Sequence, residues 1–262
     1  MCRWIAYRGE IIPLERYVTE PAHSLVVQSL KAKESVGSTN GDGFGLGWYG
    51  ERDEPGLYRE VRPAWSDENL KHLCRHIRSP LFFAHVRAAT GTPTTRPNCH
   101  PFVHGRWMFM HNGQVGDWSL IRRRVEELIP DEFYKSRAGT TDSEAVFLAI
   151  LGGADADPIA ATMRTLTTLT ELVSTSGTTE PLRFTAALTD GENLYAFRYA
   201  YGGSANTLYY RETGHSVVVV SEPLDMDRQF WKPVPPGHLI TSRPGKPVLL
   251  EPFPEITRLA AE

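Results

Sequence analysis

At 262 residues, with 41% hydrophobic and 23% charged residues, the chain holds enough apolar material for one large folded domain of ordinary globular composition. A formal net charge of −3 gives no electrostatic reason to expect nucleic acid or an anionic membrane as a partner, and no apolar run approaches the ~18–20 residues of a membrane span. Three widely spaced cysteines, Cys2, Cys74 and Cys99, with no secretory leader ahead of them, argue for a reducing, cytoplasmic setting without structural disulfides.

Residues 2–7 are apolar-rich and read as a strand that ends at Gly9. Residues 13–19 make a helical turn, whereas Leu25, Val26, Val27 and Leu30 fit either a helix or an extended segment over 23–33. Between Asn40 and Tyr49 glycine alternates with large apolar residues, so a strand there puts Phe44, Leu46 and Trp48 on one face and Gly43, Gly45 and Gly47 on the other. Such a bare face admits another backbone or a ligand. A phosphate loop needs a helix directly afterwards, and turn followed by strand-like sequence stands there instead.

Helical spacing through Leu70, Leu73 and Ile77 predicts a helix over 67–77, with Ser66 as its N-cap and Cys74 as an ordinary helix cysteine. Residues 81–87 read as a buried strand, 107–111 as another that stops at an Asn112-Gly113 turn, and 118–128 as a helix ending before Pro130. Its Arg122-Arg123-Arg124 run fits a solvated face. Thr141 and Glu144 have the spacing of a capping box that opens a helix over 145–151, and 159–173 is a second, Thr-rich helix. The rest reads as strands at 183–189, 194–199, 208–211, 216–221, 238–242 and 248–252 with no crossover helices between them. That pattern predicts an α+β fold, one domain over 1–262, with antiparallel sheets and helices packed outside.

Four places carry chemistry. Removal of Met1 would leave Cys2 with a free α-amine beside its thiol, a nucleophile and a base on one residue. Arg87, at a strand end, has the fork that holds a carboxylate, with Thr90 near it in sequence, although an isolated arginine reads more readily as a structural ion pair. Asn112 and Gly113 offer an amide donor and an unhindered N–H, as a developing oxyanion needs, and alone read as a plain turn. Asp142 opens a helix, where the dipole favours an anion, and a carboxylate held so accepts an ammonium group. A carboxylate clamp, an oxyanion pair and an ammonium acceptor together describe a site for glutamine or a γ-glutamyl amide.

These motifs, with Asn98-Cys99-His100-Pro101-Phe102, occur in the order and rough spacing of class II glutamine amidotransferases, the N-terminal-nucleophile (Ntn) hydrolases, which the chain resembles nearly end to end. Asn40-Gly41-Asp42-Gly43 and Ser221-Glu222-Pro223-Leu224 resemble small stand-alone members, such as a γ-glutamyl hydrolase of ergothioneine biosynthesis and a subunit of a glutathione-degrading complex. The resemblance implies a four-layer αββα sandwich and hydrolysis of a γ-amide through a thioester on Cys2. It implies Cys2 as nucleophile, Asn112 and the Gly113 N–H as oxyanion hole, Arg87 and Thr90 at the substrate α-carboxylate, and Asp142 with the Gly113 carbonyl at its α-ammonium. No metal and no cofactor is implied, and a synthase or peptidase subunit is a candidate partner.

The chain departs from synthase-fused members in having Ala88 and Gly91 where those often carry tryptophan and histidine, which leaves room for a larger γ-glutamyl substrate. Two readings from other classes stand beside this one. Cys99, His100 and His104 with Cys74 or His76 would form a zinc module, though the spacing matches no common zinc pattern, and a silent scaffold would keep the fold and only bind a partner.

Overall fold

A computed structural model describes residues 2–34, 39–89 and 91–254. Among the described residues thirteen strands form two sheets: β1 (Arg3–Pro13), β2 (Phe44–Trp48), β3 (Gly56–Glu60), β4 (Arg78–Val86), β5 (Phe102–His104), β6 (Trp107–Val115), β7 (Leu182–Thr189), β8 (Leu194–Tyr201), β9 (Tyr209–Thr213), β10 (Ser216–Val220), β11 (Lys232–Pro233), β12 (His238–Ser242) and β13 (Leu249–Pro252). The seven-stranded sheet runs β11-β9-β10-β1-β4-β2-β3 and the six-stranded sheet β13-β12-β8-β7-β6-β5, with every pairing antiparallel.

Side-chain alternation builds the layers. In β1, Trp4 and Ala6 join Met108 and Met110 of β6, Ala187 and Val219 in a core between the sheets. Ile5 and Tyr7 turn the other way, to the helices α1 (Glu15–Val18), α2 (Leu25–Leu30) and α3 (Glu68–His76). On the far side, Phe109, Phe184 and Leu188 of the six-stranded sheet pack against α6 (Asp142–Ala154) and α7 (Pro158–Thr175), flanked by α4 (Trp118–Glu126) and α5 (Asp131–Tyr134). The result is the four-layer αββα sandwich expected from the sequence.

The glycine face of β2 lies against the second sheet. A Cβ at Gly45 would collide with the His100 carbonyl, and one at Gly47 with Met108 and Pro101, so the alternation marks a close approach of backbones. Phe44 and Leu46 fill the opposite, helix-side core.

Several local expectations change. Strand β1 does not stop at Gly9 but shifts register against β4 between Arg8 and Ile12 and runs on to Pro13. The open choice over 23–33 falls to helix α2, capped by Ser24. The cap of α3 is Asp67, whose carboxylate accepts the Leu70 N–H, while the Ser66 hydroxyl donates to Pro63 instead. Half of the capping box forms at α6: Thr141 accepts the Glu144 N–H, but the Glu144 carboxylate turns to the N–H groups of Ala138 and Gly139. Most consequentially, Asn112-Gly113 is not a turn. β6 runs straight through it to Val115, because residues 108–115 pair continuously with β7.

Candidate active site

One cavity of about 570 Å³ opens where the two sheets meet the N-terminal end of α6. Cys2, Arg87, Gly113 and Asp142 all line it, together with Ala88, Gly91 and Thr92. Cys2 continues the alternation of Trp4 and Ala6, which places its thiol on the inner face of its sheet. The Ala88 N–H donates to Cys2 Sγ at 3.4 Å. Burial pushes the Cys2 thiol up from its ordinary value, while the Ala88 hydrogen bond and the guanidinium groups of Arg87 and Arg3 pull it back.

Arg87 is buried at the end of β4. Its guanidinium donates to Thr92 Oγ1 at 2.7 Å and has no carboxylate in salt-bridge range among the described residues, so the alternative of a structural ion pair is not what this arginine makes here. Asp42, in the glycine-rich stretch, accepts the Ala89 N–H at 2.8 Å and pins the backbone that follows Arg87. Thr90 and Met1, both singled out by the sequence, lie outside the described residues.

Asp142 is held at both oxygens. Oδ2 accepts the Val115 N–H at 3.0 Å and Oδ1 the Ser143 N–H at 2.7 Å. The first bond orients the rest of β6. Val115 N–H leaves the sheet to reach α6, and the two-residue period of a strand turns the N–H and carbonyl of Gly113 to that same edge. Beyond Phe109 no strand covers this edge among the described residues, because β5 pairs only with residues 107–109.

Asn112, of opposite parity, faces inward with Met108 and Met110. It is 2% exposed, and its Nδ2 has no hydrogen-bond partner among the described residues. A buried amide donor without an acceptor is costly, and a reacting group that carries negative charge would supply one.

The sequence profile described as "Glutamine amidotransferases class-II" matches residues 17–210. The chain belongs to this family of enzymes. It is 31% identical to "Probable glutamine amidotransferase DUG3" of Saccharomyces cerevisiae, an alignment covering 97% of this chain and 84% of the relative. It is 28% identical to "Gamma-glutamyl-hercynylcysteine sulfoxide hydrolase" of Mycolicibacterium smegmatis over 93% of this chain and 96% of the relative. Among solved structures, a glutamine aminotransferase class-II domain protein from Silicibacter pomeroyi superposes with a TM-score of 0.76 at 39% identity, covering 97% of this chain and all of that one.

Contacts beside the site give a role to a residue to which the sequence assigned none. Glu222, buried just past β10, accepts from Arg3 Nε at 2.9 Å and from the N–H groups of Lys33 and Glu34 at 2.8 and 3.0 Å, with His23 Nε2 2.5 Å away. Burial alone would raise its carboxyl, but His23, the two N–H groups and Arg3 together hold it below the usual carboxylate range. Arg3 also donates to the Cys2 carbonyl, so Glu222 anchors the start of the chain. Its signal in the sequence is an acid at a strand end, Ser221-Glu222, which says nothing about a partner more than two hundred residues away.

The zinc reading brings nothing together. Cys74 is buried in the core beneath α3, and no cluster of three or more His, Cys, Asp or Glu suited to a metal occurs among the described residues. No helix among them is long and apolar enough to cross a membrane.

Proposed function

We propose that the chain, with Met1 removed, hydrolyses the γ-amide of glutamine to glutamate and ammonia through a γ-glutamyl thioester on Cys2, the whole of 1–262 acting as one class II unit. The observation that carries this reading is the convergence of Cys2, Arg87, Gly113 and Asp142 on one cavity. Arg87, with Thr90, receives the substrate α-carboxylate. Asp142 and the Gly113 carbonyl receive its α-ammonium.

The Cys2 α-amine, with a pKa of about 8, takes the thiol proton as sulfur attacks the γ-carbonyl carbon. The C–S bond forms, and negative charge on the carbonyl oxygen is held by Asn112 Nδ2 and the Gly113 N–H. Collapse breaks the C–N bond, and the α-amine passes its proton to the departing nitrogen. Water, deprotonated by the same amine, adds to the thioester carbonyl carbon; the C–S bond breaks, the amine returns its proton to the Cys2 sulfur, and glutamate leaves.

A second reading keeps this chemistry and changes the leaving group to that of a larger γ-glutamyl compound, with no ammonia passed on. It is favoured by Ala88 and Gly91, which line the cavity without bulk, and by the name of the hydrolase relative. A synthase or peptidase subunit remains a candidate partner only for the ammonia-releasing form or for an assembly that supplies the substrate.

Intact mass spectrometry of the purified chain, before and after a γ-glutamyl electrophile, tests the shared chemistry. The expected result is a single adduct on chains that have lost Met1 and none on chains that keep it. Labelling at Cys74 or Cys99 instead would overturn the reading. A preference of tenfold or more in kcat/KM between glutamine and a panel of γ-glutamyl amides, about 1.4 kcal/mol in the barrier, then decides between the two leaving groups.

A further inference from the structure

His111 lines the cavity one residue before Asn112, and its two ring nitrogens have different partners. Nε2 lies 3.0 Å from the Arg183 carbonyl of β7, and Nδ1 lies 2.8 Å from Ser143 Oγ. A carbonyl oxygen only accepts, so Nε2 carries the ring hydrogen. A neutral imidazole has just one, which leaves Nδ1 as an acceptor and makes the Ser143 hydroxyl its donor.

That assignment decides what Asp142 has free. Ser143 Oγ also lies 3.2 Å from Asp142 Oδ1, but its single hydrogen is committed to His111. The Asp142 carboxylate therefore accepts one backbone N–H at each oxygen and keeps a remaining lone pair on each. Glycine at 113 is what permits this arrangement. A Cβ there would collide with both the Arg183 carbonyl and His111 Nε2.

We propose that His111 and Ser143 are positioning residues: the imidazole draws the Ser143 hydroxyl away from Asp142, so that the carboxylate meets the substrate ammonium with its acceptor sites open. This rests on the role given above to Asp142. The groups that face His111 are compatible with a neutral ring. Among the described residues Asp142 on α6 is the one carboxylate, His85 from β4 and His100 from the segment before β5 are buried and held neutral, and Phe109 and Phe184 flank it. Without His111 the hydroxyl turns to Asp142 Oδ1 and competes with the ammonium.

The test is binding of L-glutamate and of glutarate, which lacks only the ammonium group, to the full-length chain with Met1 removed, by titration calorimetry. His111→Phe is expected to weaken glutamate about tenfold and leave glutarate within twofold, and His111→Phe/Ser143→Ala to recover glutamate to within threefold of the parent. Equal weakening of both ligands, or no recovery in the double variant, overturns the proposal. Should His111→Phe fail to fold, 15N spectra of histidine-labelled parent protein at pH 7.5 read the tautomer directly. An Nε2–H tautomer with a bare Nδ1 at His111 is expected, and an Nδ1–H tautomer or an imidazolium overturns the proposal. Asp142→Asn separates the two levels. If it leaves glutamate affinity unchanged the role of Asp142 itself is wrong, whereas glutamate weakened by Asp142→Asn with no recovery in the double variant removes the relay alone.

Discussion

Arg3 ties the first residues of the chain to Glu222, with its Nε 2.9 Å from the Glu222 carboxylate and its Nη1 3.0 Å from the carbonyl of Cys2. Both side chains are about 1% exposed. A nucleophile at a chain terminus, the role proposed for Cys2 once Met1 is removed, has a neighbour on only one side to restrain it, and the pair supplies the missing restraint from far along the sequence. β1 adds the rest by lying between β10 and β4.

Glu222→Gln removes the charge and keeps the shape. Arg3 is then a buried cation without a counter-ion, and breaking such a pair costs about 3–5 kcal/mol. The expected outcome is a fall of that size in unfolding free energy by urea titration. Labelling of Cys2 slows as well, because its carbonyl loses the oriented guanidinium. A variant as stable as the parent would mean that Arg3 finds another acceptor.

Gly113→Ala tests the close approach of β6 and β7. The added Cβ meets the Arg183 carbonyl and His111 Nε2, one of them backbone in a paired strand, so neither yields cheaply. Overpacking of this kind costs about 1–3 kcal/mol. The melting temperature is expected to fall and hydrolysis to be lost, since the N–H that faces the cavity edge moves with the strand.

The layers were legible in the sequence because the alternation in Phe44-Gly45-Leu46 and the closing strands without crossover helices between them are patterns carried locally by the chain. Asn112-Gly113 was misread for the converse reason. An Asn-Gly pair favours a turn locally, and what overrides it is pairing with residues 182–189, some seventy positions on. The same distance hides the Glu222 anchor and the Arg183 carbonyl on His111, whereas Cys2, Arg87, Asn112, Gly113 and Asp142 could be singled out because each is a distinctive residue type within a short motif, and all of them but Asn112 line one cavity.

Acid is expected to destabilise the fold well before the carboxylates titrate. His85 and His100 stack at 4.2 Å between their centroids, and none of their ring nitrogens has a partner among the described residues. Burial lowers His85 to about 3 and takes His100 well below the ordinary histidine value. In the unfolded chain both protonate near pH 6.5. The unfolded state therefore binds more protons as pH falls from about 6.5 towards 3, and stability is lost over that window. Each ring contributes a slope of up to about 1.4 kcal/mol per pH unit. Urea unfolding between pH 7 and 5 measures it, and His85→Gln should flatten the dependence by about one proton's worth.

Asn112→Ala isolates the oxyanion role proposed for Asn112 from the fold. The Asn112 backbone carbonyl, which accepts from Asn206 Nδ2 at 3.0 Å, stays in place, and the side-chain Nδ2 has no partner among the described residues to leave behind. Truncation therefore orphans no buried group through that nitrogen, and the melting temperature should change little. The barrier should not be spared. Loss of one oxyanion donor typically costs about 2.7–4 kcal/mol, or 10²–10³ in kcat. Because negative charge gathers on the carbonyl oxygen only as sulfur adds, KM should move by less than about threefold while kcat carries the loss. Steady-state kinetics on the Met1-processed variant separates the two constants, and a fall confined to KM would show that Asn112 holds ground-state substrate rather than the tetrahedral intermediate.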